Sequence, residues 1–210
     1  MTAARNTVKP FLCPADGSQM SQASGVWIGM VVSPTNGLTG WYNANGGNAM
    51  NAGRSNYIGC GGSFGALPPD DGFSGTSLGL PPMPGVYSAN KHVKITDIAD
   101  GTSNTIAFGE TIGDSDVGSR NYALTWMGAG SLPLCYGLPT GSTSGWANFT
   151  SFHTGQVLFS FADGSVRGIR KGVGAGASAN PSTFTSDWYV LQYAGGISDG
   201  QVIDFSVLGQ

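Results

Sequence analysis

The sequence predicts a single α+β domain over residues 1–210, mostly antiparallel β-structure with long irregular loops and two short helices. Short runs of alternating apolar residues outnumber helical patterns, and strands and helices do not alternate regularly along the chain. Glycine is abundant, at 35 of 210 residues, which is typical of a loop-rich chain. A chain of this length can bury a substantial core.

The strongest element is a β-hairpin over residues 151–170. Its first run, 156–162, places apolar residues at alternate positions, so they share one face of a strand. Asp163-Gly164 then supplies a tight turn that requires positive φ, and a second alternating run follows. His153 stands just before the first strand.

Further elements follow from periodicity and from capping residues. Helical turns are predicted at 96–101, where Thr96 can cap the start and Gly101 suits a left-handed end. A second helix starts at Thr185 or Ser186 and ends at the Gly195-Gly196 pair. Other strands are predicted at 26–32, 55–59, 105–111, 122–127 and 202–207. The extended entry and the loops are predicted at 1–16, 36–53, 67–86, 132–146 and 172–181.

Charge and hydropathy exclude two classes of partner. Nine Lys and Arg residues against twelve Asp and Glu give a net charge of −3, whereas nucleic-acid binding needs clustered positive charge. No apolar run approaches the roughly 18 residues of a membrane-spanning helix. Residues 1–10 lack the pattern of a signal peptide.

Three segments carry a family resemblance. Residues 11–16 read FLCPAD, residues 100–110 read DGTSNTIAFGE, and His153 precedes Asp163-Gly164 at a fixed distance. They resemble the FLCPSD, DGTSNT..FGE and C-terminal His/Asp-Gly elements of a large pilin-like family of planctomycete-type bacteria. That family is catalogued both as a domain of unknown function and under a solute-binding label. The element Ser55-Asn56-Tyr57 is similar to a shorter family segment, and the matches run in family order along most of the chain.

The resemblance implies the globular head of a pilin or pseudopilin. Family members usually begin with a prepilin-type helix, which is missing from this sequence, so membrane contact is expected only through such a helix. The resemblance implies a structural signature rather than a catalytic one. The residues of this signature are His153, Asp163, Gly164, Asp100, Gly101, Asn104 and Glu110. Self-association or assembly with other pilin-like subunits at the cell envelope or extracellular surface is the implied role.

The cysteines are three in number, so at most one intramolecular disulfide can form. In an oxidising compartment, the resemblance favours Cys13 pairing with Cys60, because both lie in family-like segments. A reduced, buried cysteine is the alternative for each.

Metal chemistry has weak sequence support. Scattered cysteines and two histidines lack the close pairs of structural zinc sites, so zinc is not expected. No cofactor is predicted with certainty, and calcium fits the Asp-rich turns best, with Asp114 and Asp116 as candidate ligands that echo part of an EF-hand loop. A turn or capping role is the more common use of each Asp.

Catalytic motifs are weaker still. Ser63 lies in a G-x-S-x-G pattern, but the Pro-rich sequence after it cannot start the helix that a nucleophile elbow needs. His153 is interpreted as a residue that ties the start of the hairpin to a neighbouring backbone or loop, and His92 as exposed. Glu110, the only Glu, is expected to hold backbone donors or a cation inside the fold.

The sequence therefore favours a structural, non-catalytic envelope subunit of a filament or a secretion apparatus. One sheet face, carrying some of the hairpin's apolar residues, is expected to be exposed or to be covered by a partner or by loops. The alternative is an extracellular carbohydrate- or solute-binding module, which two or more exposed Trp residues in a pocket would favour. An enzyme is least favoured, but His153 in an open cleft beside Glu110 or a bound transition metal would overturn the structural interpretation and put an enzyme in its place.

Overall fold

Two β-sheets and one α-helix make up the computed structural model, which confirms the α+β, mostly antiparallel prediction. It describes residues 3–17, 52–65, 83–87, 92–118, 120, 122–127, 130–175 and 184–209, together with the backbone of 25–32 and 39–44. The strands are β1 Gly25–Val32, β2 Thr39–Ala44, β3 Arg54–Ser55, β4 Tyr57–Cys60, β5 Ile106–Glu110, β6 Tyr122–Thr125, β7 Ser131–Leu132, β8 Gln156–Phe161 and β9 Val166–Arg170. The helix is α1 Ser186–Gly195.

The first sheet has the strand order β2-β1-β6-β3, with β1 antiparallel to β2 and parallel to β6. The second sheet has the order β7-β4-β5-β8-β9. Its central strands β4, β5, β8 and β9 are antiparallel neighbours, and β7 adds a short parallel edge. Glu110 lies in the second sheet and the other signature residues lie in segments that precede or connect its strands, so this sheet positions the site described below.

The predicted hairpin is confirmed as β8 and β9. Gly164 has φ +85°, the left-handed conformation that the Asp-Gly turn was expected to need. The Asp163 carboxylate accepts a hydrogen bond from the Ser165 backbone N–H at 2.8 Å. The Gly164 N–H closes the turn on the Phe161 carbonyl at 2.9 Å.

The core lies between the second sheet and α1. Val157, Phe159 and Phe161 are buried on the face of β8 that points into it. Gly109 of β5 lies beneath two of the core rings, and a Cβ there would stand 2.5 Å from atoms of both Phe149 and Phe159. Glycine is therefore required for this close ring packing.

The opposite face of the hairpin is open among the described residues. Val166 is 63% exposed and pairs with Ser160, which lies opposite Phe108 of β5. The apolar hairpin residues therefore divide between the two faces. Three are covered by the chain's own helix and loops, and Val166 is exposed.

Several local predictions were wrong. Residues 202–207 form no strand, and Phe205–Leu208 is a 3-10 turn. Phe205 packs edge-on against Phe161 with ring centroids 5.5 Å apart, and Leu208 is fully buried. The turn therefore buries apolar residues three positions apart, which a strand would place on opposite faces.

Other differences concern loops and helix starts. Strand β2 forms inside the predicted loop 36–53, because pairing with β1 overrides its polar composition. The extended entry contains 3-10 turns at Ala3–Arg5 and Lys9–Phe11. The first predicted helix is a single 3-10 turn, Ile95–Asp97, so Thr96 lies within it rather than capping it. Most of the Pro-rich segment 67–86 lies outside the described residues.

Helix α1 has the predicted bounds, and Thr185 precedes it, although its hydroxyl contacts the Asp187 carboxylate rather than a backbone N–H. Within the described residues, no helix has both the length and the apolar character needed to cross a membrane.

Replacing Phe159 with Ala should lower the free energy of unfolding by about 3–5 kcal/mol, because the ring is fully buried and its loss leaves a cavity. Chemical denaturation monitored by circular dichroism measures this change. Phe152→Ala is the matched control, since Phe152 is 38% exposed, and it should cost about 1 kcal/mol or less. Equal losses in the two variants would contradict the assigned core.

Candidate functional site

Three side chains that are far apart in sequence meet at one end of the second sheet. Cys13 Sγ lies 3.4 Å from His153 Nε2 across 140 sequence positions, and the same Nε2 lies 3.3 Å from Glu110 Oε1. The three ligand-type atoms all lie within 4.8 Å of one another. Among the described residues this is the only group of three or more His, Cys, Asp or Glu side chains placed to hold a metal ion.

Glu110 is fixed by its position at the end of β5. Its side chain is 2% exposed, and Oε2 accepts a hydrogen bond from the Leu158 backbone N–H at 2.9 Å. Its Oε1 accepts no hydrogen bond from any described residue. The expectation that Glu110 holds backbone donors is met by one oxygen, and the other points toward His153.

Cys13 is held by Asn56, which joins the entry loop to the second sheet. The Asn56 Oδ1 accepts a hydrogen bond from the Cys13 N–H at 2.9 Å, and its Nδ2 donates to Asp16 Oδ2 at 2.7 Å. Asp16 also forms a buried ion pair with Arg120 at 2.6 Å. The backbone N–H of Asn56 donates to the Phe11 carbonyl at 2.8 Å, so one residue fixes the loop at several points.

Sequence analysis did not assign this role to Asn56. The available signal was its place in the Ser55-Asn56-Tyr57 element, which belongs to the family pattern. A single Asn has no second residue at a characteristic spacing that could have indicated that its side chain links two buried segments.

His153 does tie the start of the hairpin to the entry loop, as expected, but it does so through a thiol and a carboxylate. Its side chain is 31% exposed, so one side of the cluster faces solvent. Burial raises the pKa of the Cys13 thiol, and the neighbouring Glu110 raises it further. Burial, together with Cys13 and Glu110, also raises the pKa of Tyr57 to about 12. The environment therefore favours the protonated thiol and phenol.

The remaining signature residues build turns rather than a site. Asp100 accepts hydrogen bonds from the backbone N–H groups of Asp199 and Gly200, at 2.7 and 2.9 Å. Gly101 has φ +94°, and the Asn104 amide donates to the Asp100 carbonyl at 3.0 Å.

This turn lies against the hairpin turn, because the Asp163 N–H donates to the Thr102 carbonyl at 3.1 Å. Asp163 and Gly164 therefore lie in a turn and away from the cluster.

The Cys13–Cys60 disulfide is not formed. Cys60 is fully buried in the core, where burial raises its pKa to about 12. Cys13 lies beside Glu110, whose cross-strand neighbour Tyr57 is three residues before Cys60 on β4. Strand alternation points residues 57 and 60 to opposite faces, which separates the two thiols.

The calcium candidates have other contacts. Asp116 forms an ion pair with Lys171 at 2.9 Å and accepts a hydrogen bond from the Gly141 N–H at 2.6 Å. Asp114 accepts a hydrogen bond from the Ser115 N–H at 2.8 Å. Both therefore act as turn residues, and among the described side chains neither joins a metal-ligating group of three.

The sequence argument against zinc rested on scattered cysteines and histidines, and folding brings one of each, Cys13 and His153, together with Glu110. That argument does not hold for the Cys13, Glu110 and His153 cluster.

An apolar groove runs along the open face of the second sheet beside this cluster. Its volume is about 650 Å³. Tyr87 and Phe108 form one wall with ring centroids 4.6 Å apart, and both are 40% exposed. Other described residues lining it are Phe11, Tyr57, Trp126, Leu158 and Val166. Tyr57 borders both the groove and the cluster.

Asn56→Asp should destabilise the fold by about 3 kcal/mol or more, because it removes the amide donor and places a second carboxylate against Asp16 in a buried position. The change is measured by urea denaturation at neutral pH. Asn6→Asp, at an exposed position, should change stability by less than about 0.5 kcal/mol. A small loss for Asn56→Asp would show that the bridge does not hold the entry loop.

Comparison with known proteins identifies a family but no function. No curated protein and no solved structure matches the chain. The family model described as "Protein of unknown function (DUF1559)" matches residues 1–175, which include the FLCPAD, DGTSNTIAFGE and His/Asp-Gly elements. This match confirms the resemblance to a family catalogued as a domain of unknown function, and the chain belongs to the DUF1559 family.

Proposed function

We propose that the chain is the globular head of a pilin-like or pseudopilin-like subunit of the bacterial cell envelope or surface. In this role it is structural and non-catalytic, and it assembles with copies of itself or with other pilin-like subunits into a filament or a secretion apparatus. The observation that carries the proposal is the apolar groove on the second sheet.

The groove is unusual for a sheet face that meets water. An antiparallel sheet normally buries one face and presents polar side chains on the other. Here the outward face presents Phe108 and Val166, which are 40% and 63% exposed, and the ring of Tyr87, 40% exposed, packs against Phe108 from a neighbouring turn. A contiguous apolar patch of this kind typically marks an interaction surface.

The proposed occupant is an apolar helix of the prepilin type. None of the described residues that line the groove is charged. A charged or strongly polar partner would lose its hydration there without gaining an ion pair. A helix packed on the open face would bury its apolar side chains, as helices do when they form a layer against a sheet.

The non-catalytic part of the proposal rests on the two candidate nucleophiles. Ser63 is fully buried, and its hydroxyl donates to Gln192 Oε1 at 2.6 Å rather than to a histidine. Cys13 does lie beside His153, with Glu110 behind it, so the His153–Glu110 contact named above as favouring an enzyme is present. His153 is 31% exposed, but it does not line the groove. Reactive cysteines have a lowered pKa, whereas burial raises the pKa of the Cys13 thiol.

A carbohydrate- or solute-binding module is the second candidate, and the dimensions of the groove favour it. A volume of about 650 Å³ lies in the usual range of small-molecule pockets. Among the described residues, however, Trp126 is the only Trp that lines it, and it is half-buried. A sugar platform would be expected to present at least two exposed Trp rings.

Phe108→Asp should abolish assembly, because it places a charge in the middle of the groove. The variant is expressed from its native locus, and the chain is quantified by immunoblot in sheared surface material and in membrane fractions. Val202→Asp is the matched control, since Val202 is 93% exposed and does not line the groove.

Thermal melts of both purified variants should match the parent, which separates assembly from folding. Normal surface recovery of Phe108→Asp would overturn the helix-packing proposal. If instead a sugar or other small solute raises the Tm of the parent but not of Phe108→Asp, the binding-module candidate replaces it.

A further inference from the structure

We propose that Cys13, Glu110 and His153 bind one Zn²⁺ ion through Sγ, Oε1 and Nε2. Among the described residues the ion would have three ligands, which leaves a fourth position to water or to another donor atom. This inference is independent of the groove and of the pilin-like role.

Two of the three separations within the cluster fit a tetrahedral metal site, and all three ligand atoms lie within 4.8 Å of one another. Metal–ligand bonds of about 2.0–2.3 Å at tetrahedral angles place neighbouring ligand atoms about 3.3–3.6 Å apart. The Sγ–Nε2 distance is 3.4 Å and the Nε2–Oε1 distance is 3.3 Å. His153 Nε2 would therefore need to move little relative to either of the other two ligand atoms when an ion binds.

The buried carboxylate is the second, independent observation. Glu110 is 2% exposed, and its Oε1 lies 3.3 Å from His153 Nε2 and near the Cys13 thiol, but no donor in the described part of the chain meets it in hydrogen-bond geometry. A buried carboxylate oxygen without a donor is costly, and such an atom in a native fold calls for a partner. A cation bound between Glu110, His153 and Cys13 supplies that partner.

The donor set selects zinc over the calcium suggested by the sequence. Calcium and magnesium prefer oxygen ligands alone, whereas a thiolate, an imidazole and a carboxylate together suit a borderline-soft ion such as Zn²⁺. Three protein ligands with an open fourth position is the arrangement of catalytic zinc sites, and a structural site would take a fourth ligand there. The side chain of His153 is 31% exposed, which gives the ion a route to the site.

The surrounding contacts orient two of the ligands. The second oxygen of Glu110 is fixed by the Leu158 N–H at 2.9 Å, which turns Oε1 toward the cluster. The backbone of Cys13 is fixed by Asn56 at 2.9 Å. Such outer contacts commonly position metal ligands before the ion binds.

The ion would act as a cross-link. Cys13 lies in the entry loop, Glu110 at the end of β5 and His153 before β8, so binding would join three segments that are distant in sequence. Because the unfolded chain does not hold these ligands together, the binding free energy would contribute to folding. The site would then replace the disulfide that the family pattern suggested.

The test is a titration of the chelator-stripped 210-residue chain with Zn²⁺, and with Co²⁺ as a spectroscopic probe. We expect one ion per chain by calorimetry, a near-ultraviolet thiolate-to-cobalt charge-transfer band, and a Tm that rises with free Zn²⁺. His153→Gln should weaken binding by about 100-fold or more and abolish the rise in Tm, because it removes a direct ligand. Glu110→Gln should do the same, and Cys13→Ser should also remove the charge-transfer band.

The controls are His92→Gln, which removes the exposed histidine, and Asp116→Asn, which removes a carboxylate outside the cluster. Both should bind the metal as the parent does. If Cys13→Ser or Glu110→Gln fails to fold, the half-exposed His153→Gln decides the question. Absence of stoichiometric binding by the parent, or undiminished binding by His153→Gln, would overturn the proposal.

Discussion

The other features depend on the alternation of side chains along β8 and along β5 from Phe108 onward, beyond the register shift between Ile106 and Phe108. Val157, Phe159 and Phe161 occupy one face of β8 and are buried beneath α1 and the flanking loops. Because side chains alternate between the two faces of a strand, the burial of these three residues places the residues between them on the other face. Gly109 and Phe108 of β5 follow the same rule, one beneath the core rings and one in the groove.

The cluster is a consequence of the same alternation. Glu110 is two residues beyond Phe108, so its carboxylate lies on the open face of the sheet and not in the core. It is nevertheless buried, because the entry loop carrying Cys13 and the segment carrying His153 close over that end of the face. A carboxylate placed in this way needs partners, and the structure brings a thiol and an imidazole to it.

Tyr57 connects the two features of the open face. It is the cross-strand neighbour of Glu110, lines the groove, and has a pKa raised to about 12 by burial and by the adjacent Cys13 and Glu110. In a structural head with both features, one end of β5 would order two parts of the molecule. The metal cross-link would hold the entry loop there, and the groove beside it would hold the helix on the sheet face. The proposed metal site and the proposed structural role are therefore physically compatible, although each rests on its own observation.

The sequence by itself determined the local elements whose chemistry is contained in a few neighbouring residues. The hairpin around Asp163-Gly164 and the bounds of α1 were predictable, because alternation, positive φ and a terminal glycine act over short distances. Composition could not predict β2 within a polar loop or the 3-10 turn at Phe205–Leu208, since pairing with β1 and packing against Phe161 are tertiary effects. Motif position placed Glu110 and His153 in the signature, but only the tertiary structure placed Cys13 beside them and Cys60 on the opposite face. Ligands separated by 140 positions leave no spacing pattern in a single sequence, so their meeting is decided by how the sheet and the entry loop pack.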